Sequence, residues 1–218
     1  MIVLHHLEHS RSQRIAWLLE ELGLPYEIKR YKRNPKTMLA PPELRAVHPL
    51  GKAPIVEEDG RVLIESGAII DELITRYGAD SGLRPAEGTP DHLRYSTFLH
   101  FAEGSQMPPL LLRLVFSRIV EMSPALLRPL TKAIAAPVNK GFIAPNIKSQ
   151  LDFLNGELSA RPWFAGDAFS GADIQMSFPM EMAQQRGGLD QRWPKLVGFL
   201  DAIRARPAYV RAKAKIGA

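Results

Sequence analysis

The residues best suited to chemistry gather near the amino end, where His5, His6 and His9 are followed at once by Ser10, Arg11 and Ser12. Imidazole, hydroxyl and guanidinium groups in one short run offer proton acceptors, hydrogen-bond donors and a fixed positive charge. They do not offer a metal site. His5 and His6 are adjacent in an apolar-rich extended run, so they face opposite sides of a strand, and no HExxH or comparable ligand spacing occurs. No metal is expected. The chain has no cysteine, which removes disulfides, thiolate zinc sites and a cysteine nucleophile together. Any thiol chemistry must therefore use a borrowed thiol. A further polar constellation, Ser170-Gly171-Ala172-Asp173, has capping-box spacing, which points to the start of a buried helix rather than to catalysis.

The elements that must position these groups can be read from periodicity. Residues 2–7 read as a strand, and Ile15, Leu18, Leu19 and Leu22 then mark one helix face. Gly23 with Leu24-Pro25 stops that helix, and residues 26–31 alternate as a second strand. Strand, helix and strand make a βαβ unit with a parallel pair. A short helix is expected over 43–47, and strands over 54–57 and 61–64 with Asp59-Gly60 as the hairpin turn. Ser66 opens another helix, with Ile69, Ile70, Leu73, Ile74 and Tyr77 on one face. The stretch 78–90, rich in Gly, Pro, Asp and Ser, is the best boundary, giving domains 1–79 and 91–218 joined by a linker at 80–90. Beyond it no strand pair is expected. Residues 92–122 predict one long helix bent at Pro108-Pro109, prolines 124, 129, 137 and 145 divide the next portion into short pieces, and 147–158 and 193–203 have helical spacing.

Composition narrows the class. Hydrophobic residues at 45% and charged residues at 23% fit an ordinary globular protein rather than a disordered one. Arg113 interrupts the most apolar stretch, 110–116, so no run approaches the roughly 20 apolar residues that cross a bilayer. The amino end lacks a signal-peptide pattern, which makes a cytoplasmic location the simplest expectation. The net charge of +5 is spread along the chain and concentrates only over 204–215. Without interleaved aromatics that tail reads as a solvated helix end, and nucleic acid is not an expected partner.

The strand and helix order, the proline opening the third strand and the all-helical remainder resemble the glutathione transferase superfamily over essentially the whole chain. Three motifs carry the resemblance: HSRSQRIAWLLEELGLPYE at 9–27, HPLGKAPIV at 48–56 and ESGAI at 65–69. The early HSR, YKR at 31–33 and APPEL at 40–44 look most like the fungal and bacterial transferases grouped with a yeast microsomal-associated form. The resemblance implies an α/β N-terminal thioredoxin-like domain (β-α-β-α-β-β-α) that binds glutathione. An all-α helical domain that supplies the second substrate's pocket would come after it.

Carried onto this sequence, the family pattern gives Ala53 and Pro54 a cis peptide bond, with the Ala53 backbone pairing the cysteinyl part of glutathione. Glu65 and Ser66 match the anchor for the γ-glutamyl end, where a hydroxyl and free helix amides hold a carboxylate, and Lys52 suits the glycyl carboxylate. Ser66 is equally placed to be an N-cap, and the two roles are compatible. Glutathione's thiol has a pKa of about 8.5, so the enzyme must favour the thiolate. A hydroxyl, the positive end of the first helix and a nearby arginine all do so. Ser10 is the leading donor, with Ser12, Arg11 and His9 as alternatives; Ser12 is expected to enter the first helical turn and satisfy its amides instead. His9, Gln106, Met107 and Leu110 are candidates for the electrophile pocket, although apolar positions of this kind are often core. The implied activity is attack of the glutathione thiol, as co-substrate, on a small hydrophobic electrophile, a detoxification chemistry, in a homodimer. Glutathione-dependent peroxide or disulfide reduction and a non-catalytic binding module are the competing readings.

Overall fold

A computed structural model of the chain describes residues 1–217. Ile2–Leu7 (β1) is buried at every position because strands flank it on both sides. Tyr26–Tyr31 (β2) lies parallel to it, in register from Ile2↔Tyr26 to Leu7↔Tyr31, and the crossover this demands is Ser12–Glu21 (α1). After Pro42–Val47 (α2), Ile55–Glu58 (β3) pairs antiparallel with β1 and Arg61–Ile64 (β4) pairs antiparallel with β3. The sheet order is β2-β1-β3-β4. Asp59 and Gly60 both have positive φ, 48° and 79°, as the tight two-residue hairpin requires. Ser66–Tyr77 (α3) comes next, as its apolar spacing predicts.

The helical region departs from its reading in two places. One continuous helix over 92–122 is expected; instead Pro90–Phe101 (α4) passes through a π turn at Ala102–Gln106 into Met107–Met122 (α5). Pro108 and Pro109 have no N–H to donate one turn back, and the Met107 N–H bonds to the Ala102 carbonyl instead. The Ser105 carbonyl that Pro109 leaves free accepts from Gln150 Nε2 at 2.9 Å. Nor do prolines 137 and 145 cut the next portion into short pieces. Arg128–Val138 (α6) runs through a second π turn, Asn139–Ile143, into Ala144–Ala160 (α7); ahead of Pro145, which has no N–H to donate, the Ala144 N–H bonds to the Asn139 carbonyl, as Met107 does to Ala102.

Gly171–Met182 (α8) is buried along nearly its whole length and packs against α1, α3 and α4, so it joins the sheet region to the helical region. A Cβ on Gly171 would stand 2.6 Å from Ile74 Cδ1, so only glycine allows this approach to α3. A π turn at Ala183–Gly187, Pro194–Arg204 (α9) and Pro207–Ile216 (α10) complete the fold. The basic tail is a correction: α10 is docked, not merely solvated. It buries Ala208, Tyr209, Ala212 and Ile216 against the fold, packing beside α1. Arg206 pairs with Glu21 at 2.6 Å, while Arg211 and Lys215 pair with Glu20 at 2.9 and 2.6 Å. Among the described residues no helix is long and apolar enough to cross a membrane.

Candidate active site

The β1–α1 junction concentrates the predicted hydroxyls. Ser10 precedes α1 and Ser12 is its first residue; they are 7% and 0% exposed. The Ser12 N–H, the first of α1, donates to Ser10 Oγ at 3.3 Å, so the Ser10 oxygen satisfies one free helix amide from the residue before Arg11, which occupies the N-cap position. Ser10 Oγ and Ser12 Oγ are 2.7 Å apart, and Ser12 Oγ lies 2.8 Å from His6 Nδ1. The Ser12 hydroxyl therefore does not satisfy helix amides, as its place in the first turn predicts; it bridges Ser10 and His6. Burial lowers the His6 pKa, Arg30 acts in the same direction, and Glu8 opposes them more strongly than Lys213 assists. On the other face of the strand His5 bonds Tyr31 Oη at 2.8 Å and Glu57 at 2.9 Å, an arrangement that ties β1 to its two neighbours.

Arg14, one turn into α1, is fully buried and holds three elements together. It donates to Ser66 Oγ at 2.8 Å, to Glu103 and to the Gln175 carbonyl. Glu103, in the π turn after α4, also receives Arg11 Nε at 2.8 Å on each oxygen. Burial alone would raise the Glu103 pKa, but the two guanidiniums outweigh it and the net shift is downward. Burial pushes the Arg14 pKa down to about 10 against the pull of Glu103, which leaves it charged at neutral pH. The aromatic face of Phe178 lies 5.3 Å from the Arg11 guanidinium and 5.6 Å from that of Arg14.

The remaining predicted residues are more dispersed. The Ala53–Pro54 bond is cis, with Pro54 buried at the head of β3. Ser66 begins α3 and is buried, Glu65 before it is exposed with φ of 65°, and Lys52 is exposed. His9 is exposed, also with positive φ. Met107 and Leu110 belong to the hydrophobic core rather than to an open pocket wall, and Gln106 is fully buried. Both side-chain amide atoms of Gln106 lack a protein partner among the described residues. Sequence reasoning missed Arg14, Glu103, Gln175 and the role of His6. No local signal marked them, since the partners of Arg14 lie 52, 89 and 161 residues away and an arginine on a helix ordinarily faces water. Among the described residues no group of three or more His, Cys, Asp or Glu is placed to hold a metal.

A four-stranded βαβ-ββα unit with a cis-proline at the strand head and a helical partner region defines the class as a thioredoxin-fold protein with an added all-α domain. Residues 10–76 match the model of the glutathione S-transferase N-terminal domain, and residues 144–207 match that of the C-terminal domain. The chain is 38% identical over 218 residues to glutathione S-transferase 3 of Schizosaccharomyces pombe, covering 99% of this chain and 88% of that one. It is 33% identical to glutathione S-transferase 1 of Saccharomyces cerevisiae, covering 99% and 95%. Its fold superposes with a TM-score of 0.74 and 27% identity on a sphingomonad glutathione S-transferase complexed with glutathione, covering 99% and 98%. The chain belongs to the glutathione S-transferase family.

Proposed function

We propose that this transferase binds glutathione across the head of β3 and the start of α3, and that Ser10 holds its sulfur as the thiolate for attack on a small hydrophobic electrophile. The observation that carries the reading is the Arg14 to Ser66 bond of 2.8 Å. It ties the helix whose first amide donates to Ser10 to the helix end proposed to receive the γ-glutamyl carboxylate. Ala53 and Pro54 supply the backbone edge for the cysteinyl part, Glu65 and Ser66 the γ-glutamyl anchor, and Lys52 a point charge for the glycyl carboxylate. The sphingomonad relative, complexed with glutathione, supports that choice of co-substrate. The Ser10 hydroxyl and the positive end of α1 each favour sulfur's charged form, while the Arg11 guanidinium, the other candidate, is paired with Glu103.

Ser10→Ala raises the pKa of bound glutathione and slows turnover at neutral pH, with a smaller effect on affinity because the backbone and carboxylate contacts remain. Thiolate absorbance against pH reads the first effect. An unchanged pKa and unchanged turnover would remove Ser10 from the mechanism. Lys52→Ala and Ser66→Ala each weaken glutathione binding by about 1–3 kcal/mol, the worth of a charged hydrogen bond. Calorimetry giving wild-type affinity for both variants would mean the clamp lies elsewhere.

The reading extends to a homodimeric, cytoplasmic detoxification enzyme of the subgroup that includes the yeast microsomal-associated form, with domains 1–79 and 91–218. Apolar side chains of Leu111, Val115 and Ile119 on α5, and of Leu130 and Ile134 on α6, are exposed and support a second copy as their cover. Light scattering at micromolar concentration is expected to give twice the 24.3 kDa chain mass; a monomer alone would count against the dimer.

A further inference from the structure

We propose that His6 is a positioning residue for the reaction: it donates from Nδ1 to Ser12, Ser12 donates to Ser10, and the Ser10 proton is thereby left pointing to glutathione's sulfur. The inference rests on the reading of Ser10 as the thiolate's hydroxyl donor and adds the device that fixes which way that hydroxyl points.

Three buried groups form the row, His6 Nδ1 to Ser12 Oγ at 2.8 Å and Ser12 Oγ to Ser10 Oγ at 2.7 Å. Each hydroxyl has one proton to give and two lone pairs to fill, so the row runs in one of two directions. If Ser10 donates inward, its only proton is consumed by Ser12 and none remains for a thiolate. If the row runs outward, Ser10 Oγ accepts from the Ser12 hydroxyl and, at 3.3 Å, from the Ser12 N–H. Both of its lone pairs are then occupied, and its proton has no acceptor within the row. The thiolate becomes that acceptor. The choice between directions is made at the far end, because only a proton on Nδ1 of His6 sets the outward row.

The surroundings of His6 fit a neutral ring with that single proton. Arg30 stands opposite it on β2, Lys213 approaches from α10, and His9 lies three residues further along the chain, with Glu8 the one opposing charge and Ser12 the contact from α1. Burial and these charges resist a second proton and keep the ring neutral, and the outward row is the one in which its single proton sits on Nδ1. No proton is transferred to His6 in this scheme. The thiol proton leaves to solvent, and the row supplies orientation.

The test is the bound-thiol pKa, read by thiolate absorbance in wild type and in His6→Leu, His6→Asn, Ser12→Ala and Ser10→Ala. His6→Leu and Ser12→Ala are expected to raise it by about one unit, the loss of part of a charge-assisted hydrogen bond. His6→Asn, whose side-chain amide reaches the place of Nδ1, restores most of the shift. In a Ser10→Ala background His6→Leu adds nothing further, since His6 acts only through Ser10. A normal pKa in His6→Leu beside a raised one in Ser10→Ala overturns the role of His6 and leaves the Ser10 reading intact. A normal pKa in Ser10→Ala overturns the Ser10 reading itself. Nitrogen-15 shifts of His6 in the wild-type complex give a check that needs no variant to fold: a proton on Nδ1 is expected, and a lone pair there overturns the proposal.

Discussion

Replacing Glu103 with alanine lowers stability by about 3–5 kcal/mol, the cost of leaving a buried charge without its partner. The Arg14 side chain is fully buried, and Glu103 is the one carboxylate that pairs with it among the described residues. The same carboxylate neutralises Arg11 at 2.8 Å, so its removal leaves two guanidiniums side by side behind Phe178. Glu103→Gln, which keeps acceptor geometry without the charge, costs less. The pH dependence has a definite sign. Because the folded-state pKa of Glu103 is depressed, its contribution is present above the unfolded value of about 4.3 and is lost as pH falls through the folded one. The gap between wild type and Glu103→Gln in urea denaturation therefore closes on acidification. An equal gap at neutral and acid pH would contradict the assigned charge pair. Function tracks stability here: Arg14 released from Glu103 no longer holds Ser66 in place, so the Michaelis constant for glutathione rises as well.

The site was legible wherever its signal was local. Alternating residues at 26–31, the Asp59-Gly60 turn and the Ser170 to Asp173 spacing each encode a geometry within a few positions, and each formed as expected. The arginine and glutamate network was not legible, because its partners lie 89 and 92 residues apart and a lone glutamate on a helix ordinarily faces water. The basic tail misled for a related reason. Its charges looked solvated because Glu20 and Glu21, which neutralise them, belong to a helix near the opposite end of the chain. The π turn that carries Glu103 was equally hidden: prolines 108 and 109 announced a disturbance, but their effect fell in the preceding turn, where the orphaned carbonyls had to be satisfied another way.

Asp173→Ala is expected to cost about 4 kcal/mol, through loss of a cap and exposure of unpaired donors in the core. The carboxylate is fully buried and accepts the Phe164 N–H at 2.9 Å on one oxygen, and on the other the Ser170 N–H at 2.8 Å and hydroxyl at 3.0 Å. Alanine offers none of these, and Phe164 and Ser170 are too buried for water to replace it. The damage spreads because α8 is the helix against which α1, α3 and α4 all pack. Asp173→Asn is milder, since its amide keeps one acceptor but turns an NH2 toward a donor that needs one. Burial raises the Asp173 pKa to about 6, with the Phe164 and Ser170 bonds restraining the rise. A raised folded-state value means the ionised form is penalised on folding. This group's contribution is therefore greatest below its unfolded pKa of about 3.9 and declines as pH rises through the folded value. Wild type should gain on Asp173→Asn as the solution is taken from pH 7 down to about pH 4, the opposite of the trend at Glu103. Chemical denaturation of both pairs across that range separates the two carboxylates: the same trend for both would mean that one of the two environments, the paired surface of the π turn or the buried cap of α8, is wrongly assigned.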